Sequence, residues 1–145
     1  MKVSEARSWM SYAKSDLDAA QTLLEKGEFF PRQICFLAQQ AGEKSLKAIL
    51  IFLDLQFPKT HDLDRLRELI PEGWKVKEKF PELYALSVWA IESRYPGHTP
   101  DVVEGEARET LLLAESVFET ASEELEERIQ KIDNNNLFYK QQHST

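Results

Sequence analysis

The chain has 145 residues, 42% of them hydrophobic and 30% charged, which is enough to bury a core in one domain and too apolar for a disordered protein. A single cysteine excludes an intramolecular disulfide and a cysteine-based zinc site, and five glycines argue against a turn-rich β architecture. The net charge of −7 sits in the last third: residues 1–99 carry 14 basic and 14 acidic side chains and residues 100–145 carry 4 and 11, a balance that disfavours a broad nucleic-acid surface and leaves room for a local cationic pocket.

The start, MKVSEARSWM, lacks the uninterrupted apolar stretch of a secretory leader. From Ser4 to Lys26, Ala6, Trp9, Met10, Ala13, Leu17, Ala20, Leu23 and Leu24 recur at steps of three and four, the period of an amphipathic helix, and Gly27 is a natural stop. Phe29 and Phe30 lead into a second helix, with Pro31 in the first turn, where its missing N–H costs nothing. This helix is expected to reach about Leu53 or Leu55. Its purely apolar run, Ala48–Leu53, is far shorter than the roughly 20 residues that span a bilayer, so a soluble cytoplasmic protein without a membrane partner is expected. Cys35 reads as a small buried thiol, and Ala38, Ala41, Gly42 and Ser45 would let a neighbouring helix come close.

The second helix carries a polar band, Gln39, Gln40, Glu43, Lys44 and Lys47, across its middle. Gln40, Lys44 and Lys47 fall on one side, and Glu43 can pair with Lys47 at i, i+4. Two readings stand: a solvated face, or two lysines and an amide donor that hold a phosphate.

Pro58 ends the pattern. Thr60 or Asp62 then caps a short third helix containing Leu63, Leu66, Leu69 and Ile70, closed by Pro71-Glu72-Gly73. His61, between the two capping residues, is either a surface residue or a titratable group beside a helix N-terminus that could receive an anion. A fourth helix is expected over Pro81–Ser93, with Leu83, Leu86, Ala90 and Ile91 inward, followed by a loop at Arg94-Tyr95-Pro96-Gly97-His98. Arg94 and His98 are a charge stabiliser and a proton carrier of the kind RNA cleavage uses, or else a helix-end arginine and an exposed loop histidine. Thr99-Pro100 opens the fifth helix, whose stripe of Val103, Ala107, Leu111, Ala114, Val117, Phe118, Ala121, Leu125, Ile129 and Ile132 carries it to about Ile132. Asp133 and Asn134, Asn135 and Asn136 are expected to stop it, leaving residues 134–145 as a flexible polar tail on a domain of residues 1–133. Trp9, Trp89, Phe36 and Phe118 read as core. The three histidines have no two-ligand spacing on one helix face, so neither metal nor cofactor is expected. The fold class is all-α, an antiparallel bundle of about five helices, one of them short.

The pattern over about residues 5–125 resembles the HEPN domain family, named for higher eukaryotes and prokaryotes nucleotide-binding. The residues that carry it are Trp9, Ala13, Asp16-Leu17 and Ala20, then Gln39-Gln40-Ala41-Gly42-Glu43-Lys44-Ser45-Leu46-Lys47-Ala48, Thr60-His61-Asp62-Leu63, and Arg94-Tyr95-Pro96. The resemblance implies a homodimer encoded beside a minimal nucleotidyltransferase, in a toxin–antitoxin-like pair. It implies nucleotide binding, for which Gln40, Lys44, Lys47 and His61 are the candidates. Some branches are metal-independent ribonucleases in which an Arg is followed after four to six residues by a His; if this chain is such an enzyme, Arg94 and His98 are its catalytic pair. Here only three residues, one of them Pro96, separate the two, and Tyr95 stands where a polar residue is common. The binding reading therefore ranks above the ribonuclease reading, and a helical scaffold without ligand is the third alternative.

Overall fold

In the computed structural model, which describes residues 2–26, 30–92 and 104–144, every regular element is a helix. Helices α1 (Val3–Glu25), α2 (Pro31–Phe52) and α7 (Glu104–His143) form the body of an all-α bundle, with α2 packed against both of the others. Two runs of alanine explain the close approach. Ala6, Ala13 and Ala20 on α1, and Ala107, Ala114 and Ala121 on α7, are fully buried at seven-residue steps, which return to one face of a helix. The larger side chains of α2, Ile34, Leu46, Ile49, Leu50 and Phe52, fill the space between, each contributing about 1.5–3 kcal/mol through burial. Cys35 is buried among them, and burial pushes its thiol up to about 11, against a weaker downward pull from the Thr110 hydroxyl.

The second half of the core is built from short pieces: α3 (Leu63–Leu69), α4 (Lys75–Lys79), α5 (Tyr84–Ser87) and α6 (Trp89–Glu92). Asp62 caps α3, accepting from the backbone N–H of Asp64 at 3.0 Å and of Arg65 at 3.3 Å, as the capping pattern predicts. The chain turns after α3 through Gly73, whose φ of +96° suits glycine. Gly42 is where α2 meets these pieces. A Cβ there would lie 2.9 Å from Leu63 Cδ2 and 3.1 Å from Leu86 Cδ1, so the missing side chain is what lets α3 and α5 close on α2.

Three departures from the sequence reading have physical causes. Helix α4 has no sequence signal because it is a single turn held by distant side chains. Glu124 on α7 accepts from Lys75 N–H at 2.6 Å, and Arg67 donates to the carbonyls of Lys77 and Phe80. These groups bring in Trp74, the largest fully buried side chain, which sits edge-on to Phe52 and beneath the Arg128 guanidinium at 3.9 Å. The expected fourth helix begins only at Tyr84, because Leu83, with φ −131° and ψ 21°, is outside the helical range and gives its N–H to Asp64 at 2.6 Å, and it is divided at Val88 into α5 and α6. Helix α7 does not stop at Asp133. Asparagine weakens a helix by only about 0.7 kcal/mol relative to alanine, and no Gly or Pro follows Gly105, so the helix propagates to His143 with its side chains from Asp133 to His143 exposed. Gly27, Phe29, the side chain of Ile91, the end at Ser93, the Thr99-Pro100 start and Val103 lie outside the described residues.

The two helical glycines predict opposite outcomes. Gly42→Val should lower stability by about 2–3 kcal/mol through overpacking, whereas Gly105→Ala, with nothing within 4 Å of the new methyl, should raise it by up to about 1 kcal/mol. Urea unfolding midpoints of the two variants check both signs.

Candidate functional site

The polar band of α2 is not a solvated face. Gln39, Glu43 and Lys47 are buried at 0%, 4% and 9% exposure. Burying a lone carboxylate would be prohibitive, so its partners define the site. Glu43 Oε2 accepts from Lys47 Nζ at 3.0 Å, the i, i+4 pair legible in the sequence. Its other oxygen, Oε1, accepts from Gln39 Nε2 at 3.1 Å and faces His61 Nδ1 at 2.7 Å. Gln39 also donates to the His61 carbonyl at 3.3 Å and accepts from Gln40 Nε2 at 2.7 Å. Burial pushes the Glu43 carboxyl up, but the bonds from His61 and Lys47, the Lys47 charge and the Gln39 amide outweigh it, and the net shift is below the usual glutamate range. Among the described residues every fully buried side-chain nitrogen and oxygen has a partner.

Of the four sequence-predicted binding residues, Gln40, Lys47 and His61 thus join one network. Lys47 lies within it at 5.8 Å from the Trp9 ring centroid and 5.7 Å from that of Phe57. Lys44 is turned elsewhere, onto Asp16 of α1 at 2.5 Å, so it ties α1 to α2. Arg94 and His98 lie outside the described residues. Gln39 and Glu43 are the members that sequence reasoning did not list as site residues. Their i, i+4 spacing was the available signal.

Beyond the network a cleft of about 590 Å³ opens between the segment before α3 and helices α5 and α6. Lys59, Thr60, His61, Asp62 and Asp64 line it from the segment before α3 and the first turn of α3, and Tyr84 and Ser87 line it from α5. The His61 side chain is 52% exposed there and Tyr84 is 64% exposed, while Ser87 is held by the Leu63 N–H at 2.9 Å. Asp62 already occupies the N-terminus of α3, so that helix end has no room for an anion. The volume falls in the range of small-molecule sites, about 300–1,000 Å³. Among the described residues no three His, Cys, Asp or Glu side chains are grouped to hold a metal ion, and no helix is long and apolar enough to cross a membrane.

Residues 6–127 match the family model of the HEPN domain. The chain is similar to the crystal structure of TT1696 from Thermus thermophilus, with 29% identity and a TM-score of 0.68 over 81% of this chain and 96% of that one. It shares its fold with ST0689, an archaeal HEPN homologue, with 20% identity and a TM-score of 0.59 over 83% of this chain and 97% of that one. No curated protein matches.

The Glu43 network predicts a definite pH dependence. A carboxyl whose folded value is depressed contributes stability above its unfolded value, about 4.3, and loses that contribution as pH falls through the lower folded value. The melting temperature of the wild type should therefore fall towards that of Glu43→Gln as pH drops from 6 to 3. At neutral pH, Glu43→Ala, which strands the buried Lys47, should cost about 3–5 kcal/mol, read by urea unfolding.

Proposed function

The chain belongs to the HEPN domain family, and on that premise we propose that it is a nucleotide-binding and interaction module. In this reading it works in the cytoplasm as a homodimer beside a minimal nucleotidyltransferase, as one half of a toxin–antitoxin-like pair. The observation that carries the nucleotide part is the cleft beside His61, with a volume in the small-molecule range, a histidine braced from behind, and an exposed Tyr84 ring that offers a base a stacking surface. Lys44 and Lys47 are already paired with Asp16 and Glu43, so the phosphate contact passes to Lys59 on the cleft wall. Gln40 and Lys47 serve the site by bracing Gln39 and Glu43. The acidic last helix, with Glu119, Glu123 and Glu127 exposed, suits a basic partner surface.

A ribonuclease acting through Arg94 and His98 is the second reading. Chain order favours it: Ala90 lines the cleft, and Arg94 follows four positions later.

Titration with ATP, GTP and the monophosphates should raise the melting temperature, since a ligand at 100 times its Kd stabilises the native state by about 2.7 kcal/mol. No shift at millimolar concentrations removes the nucleotide reading. For the second reading, RNA degradation by the wild type should fall at least about a hundredfold in Arg94→Ala and in His98→Ala. Equal rates remove it.

A further inference from the structure

His61 is held from two sides by α2, at its backbone carbonyl by Gln39 and at its ring Nδ1 by Glu43. Glu43 meets donors at its other contacts, Gln39 Nε2 on Oε1 and Lys47 Nζ on Oε2. A carboxylate in that company is an acceptor throughout, so the imidazole atom facing it is Nδ1–H. In the neutral ring the lone pair then belongs to Nε2, which is directed away from α2 on the side where the half-exposed ring lines the cleft.

The same wall presents Asp62 and Asp64, whose Oδ1 atoms accept from the backbone N–H groups of Asp64, Arg65 and Leu83, and Thr60, whose Oγ1 accepts from the Asp62 N–H, so the polar groups beside His61 are fixed to the backbone. Among the described residues that line the cleft Lys59 is the one cation, and it precedes His61 by only two positions. Tyr84 lines the cleft from α5. A nucleotide is ordered as phosphate, sugar and base. With phosphate at Lys59 and base on Tyr84, the sugar hydroxyls come to His61.

We propose that the Glu43–His61 pair reads a sugar hydroxyl, with His61 Nε2 accepting its hydrogen bond and Glu43 holding the tautomer, so that the cleft selects ribonucleotides over deoxyribonucleotides. This rests on the nucleotide reading above. Glu43 is a positioning residue and His61 is the group in contact.

The test titrates the full chain by calorimetry with the four ribonucleoside 5′-monophosphates and their 2′-deoxy and 3′-deoxy counterparts. Removing the read hydroxyl takes away that hydrogen bond, returns Nε2 to water and should weaken binding by up to about tenfold. In His61→Phe, which keeps a ring on a half-exposed position, that ratio should collapse to about one. Equal affinity of ribo and deoxy forms for the wild type overturns the hydroxyl assignment while the nucleotide reading stands; no binding by any of them removes both. A readout without ligand is independent of these. Nitrogen-15 imidazole spectra, with His61 assigned by its loss in His61→Phe, should show the neutral ring protonated at Nδ1, and Glu43→Gln, whose amide can present an N–H to that atom, should populate the other tautomer. A wild-type ring protonated at Nε2 overturns the proposal.

Discussion

A carboxylate in the middle of the most buried helix is the constraint on which much of this structure depends. Glu43 is 4% exposed, and an ionised carboxyl at that depth is tolerable only with donors on both oxygens. Gln39 and Lys47 come from the same helix, one turn before and one turn after, so α2 supplies two of the three partners wherever it forms. The third, His61, comes from the segment before α3. It can arrive only if the chain after α2 folds back over Gly42, where Leu63 and Leu86 make their close approach. Satisfying the carboxylate and closing the second half of the core therefore depend on the same segment.

The same arrangement gives the cleft its chemistry. A histidine whose ring and backbone are both tied to a helix core presents a defined atom to solvent, which a surface imidazole on a free loop does not. The lysines that look like phosphate ligands in the sequence have structural partners: Lys44 joins α1 to α2 through Asp16, and Lys47 neutralises Glu43. Remote polar side chains do similar work elsewhere. Glu124 and Arg67 terminate α4 at its two ends, and Arg128 covers the Trp74 ring. The short helices are thus held by α7 and α3 more than by their own propensity, which for a single turn is too weak to sustain them.

The long helices were legible because a 3.6-residue period repeated over five or six turns leaves little ambiguity, and the bounds of α1 and α2 follow from it directly. The Asp62 cap, the close approach at Gly42 and the Glu43–Lys47 pair were legible for local reasons of the same kind. Trp74 was not, since a lone aromatic between Gly73 and a lysine-rich turn has no periodic neighbours. The end of α7 was misread because asparagine favours stops without forcing them. Within the site, His61 was visible only as one residue of a capping segment, and the cleft it lines joins residues more than twenty positions apart, such as Lys59 and Tyr84.

By itself the sequence determined an all-α bundle of the HEPN family and the identity of its polar helix, because apolar periodicity and the Gln39–Ala48 motif are properties of contiguous residues. Whether the polar band met water, ligand or protein was decided only by tertiary structure. Burial depends on what the rest of the chain brings to that face, and here it brings His61, so that the band faces inward and the histidine faces out.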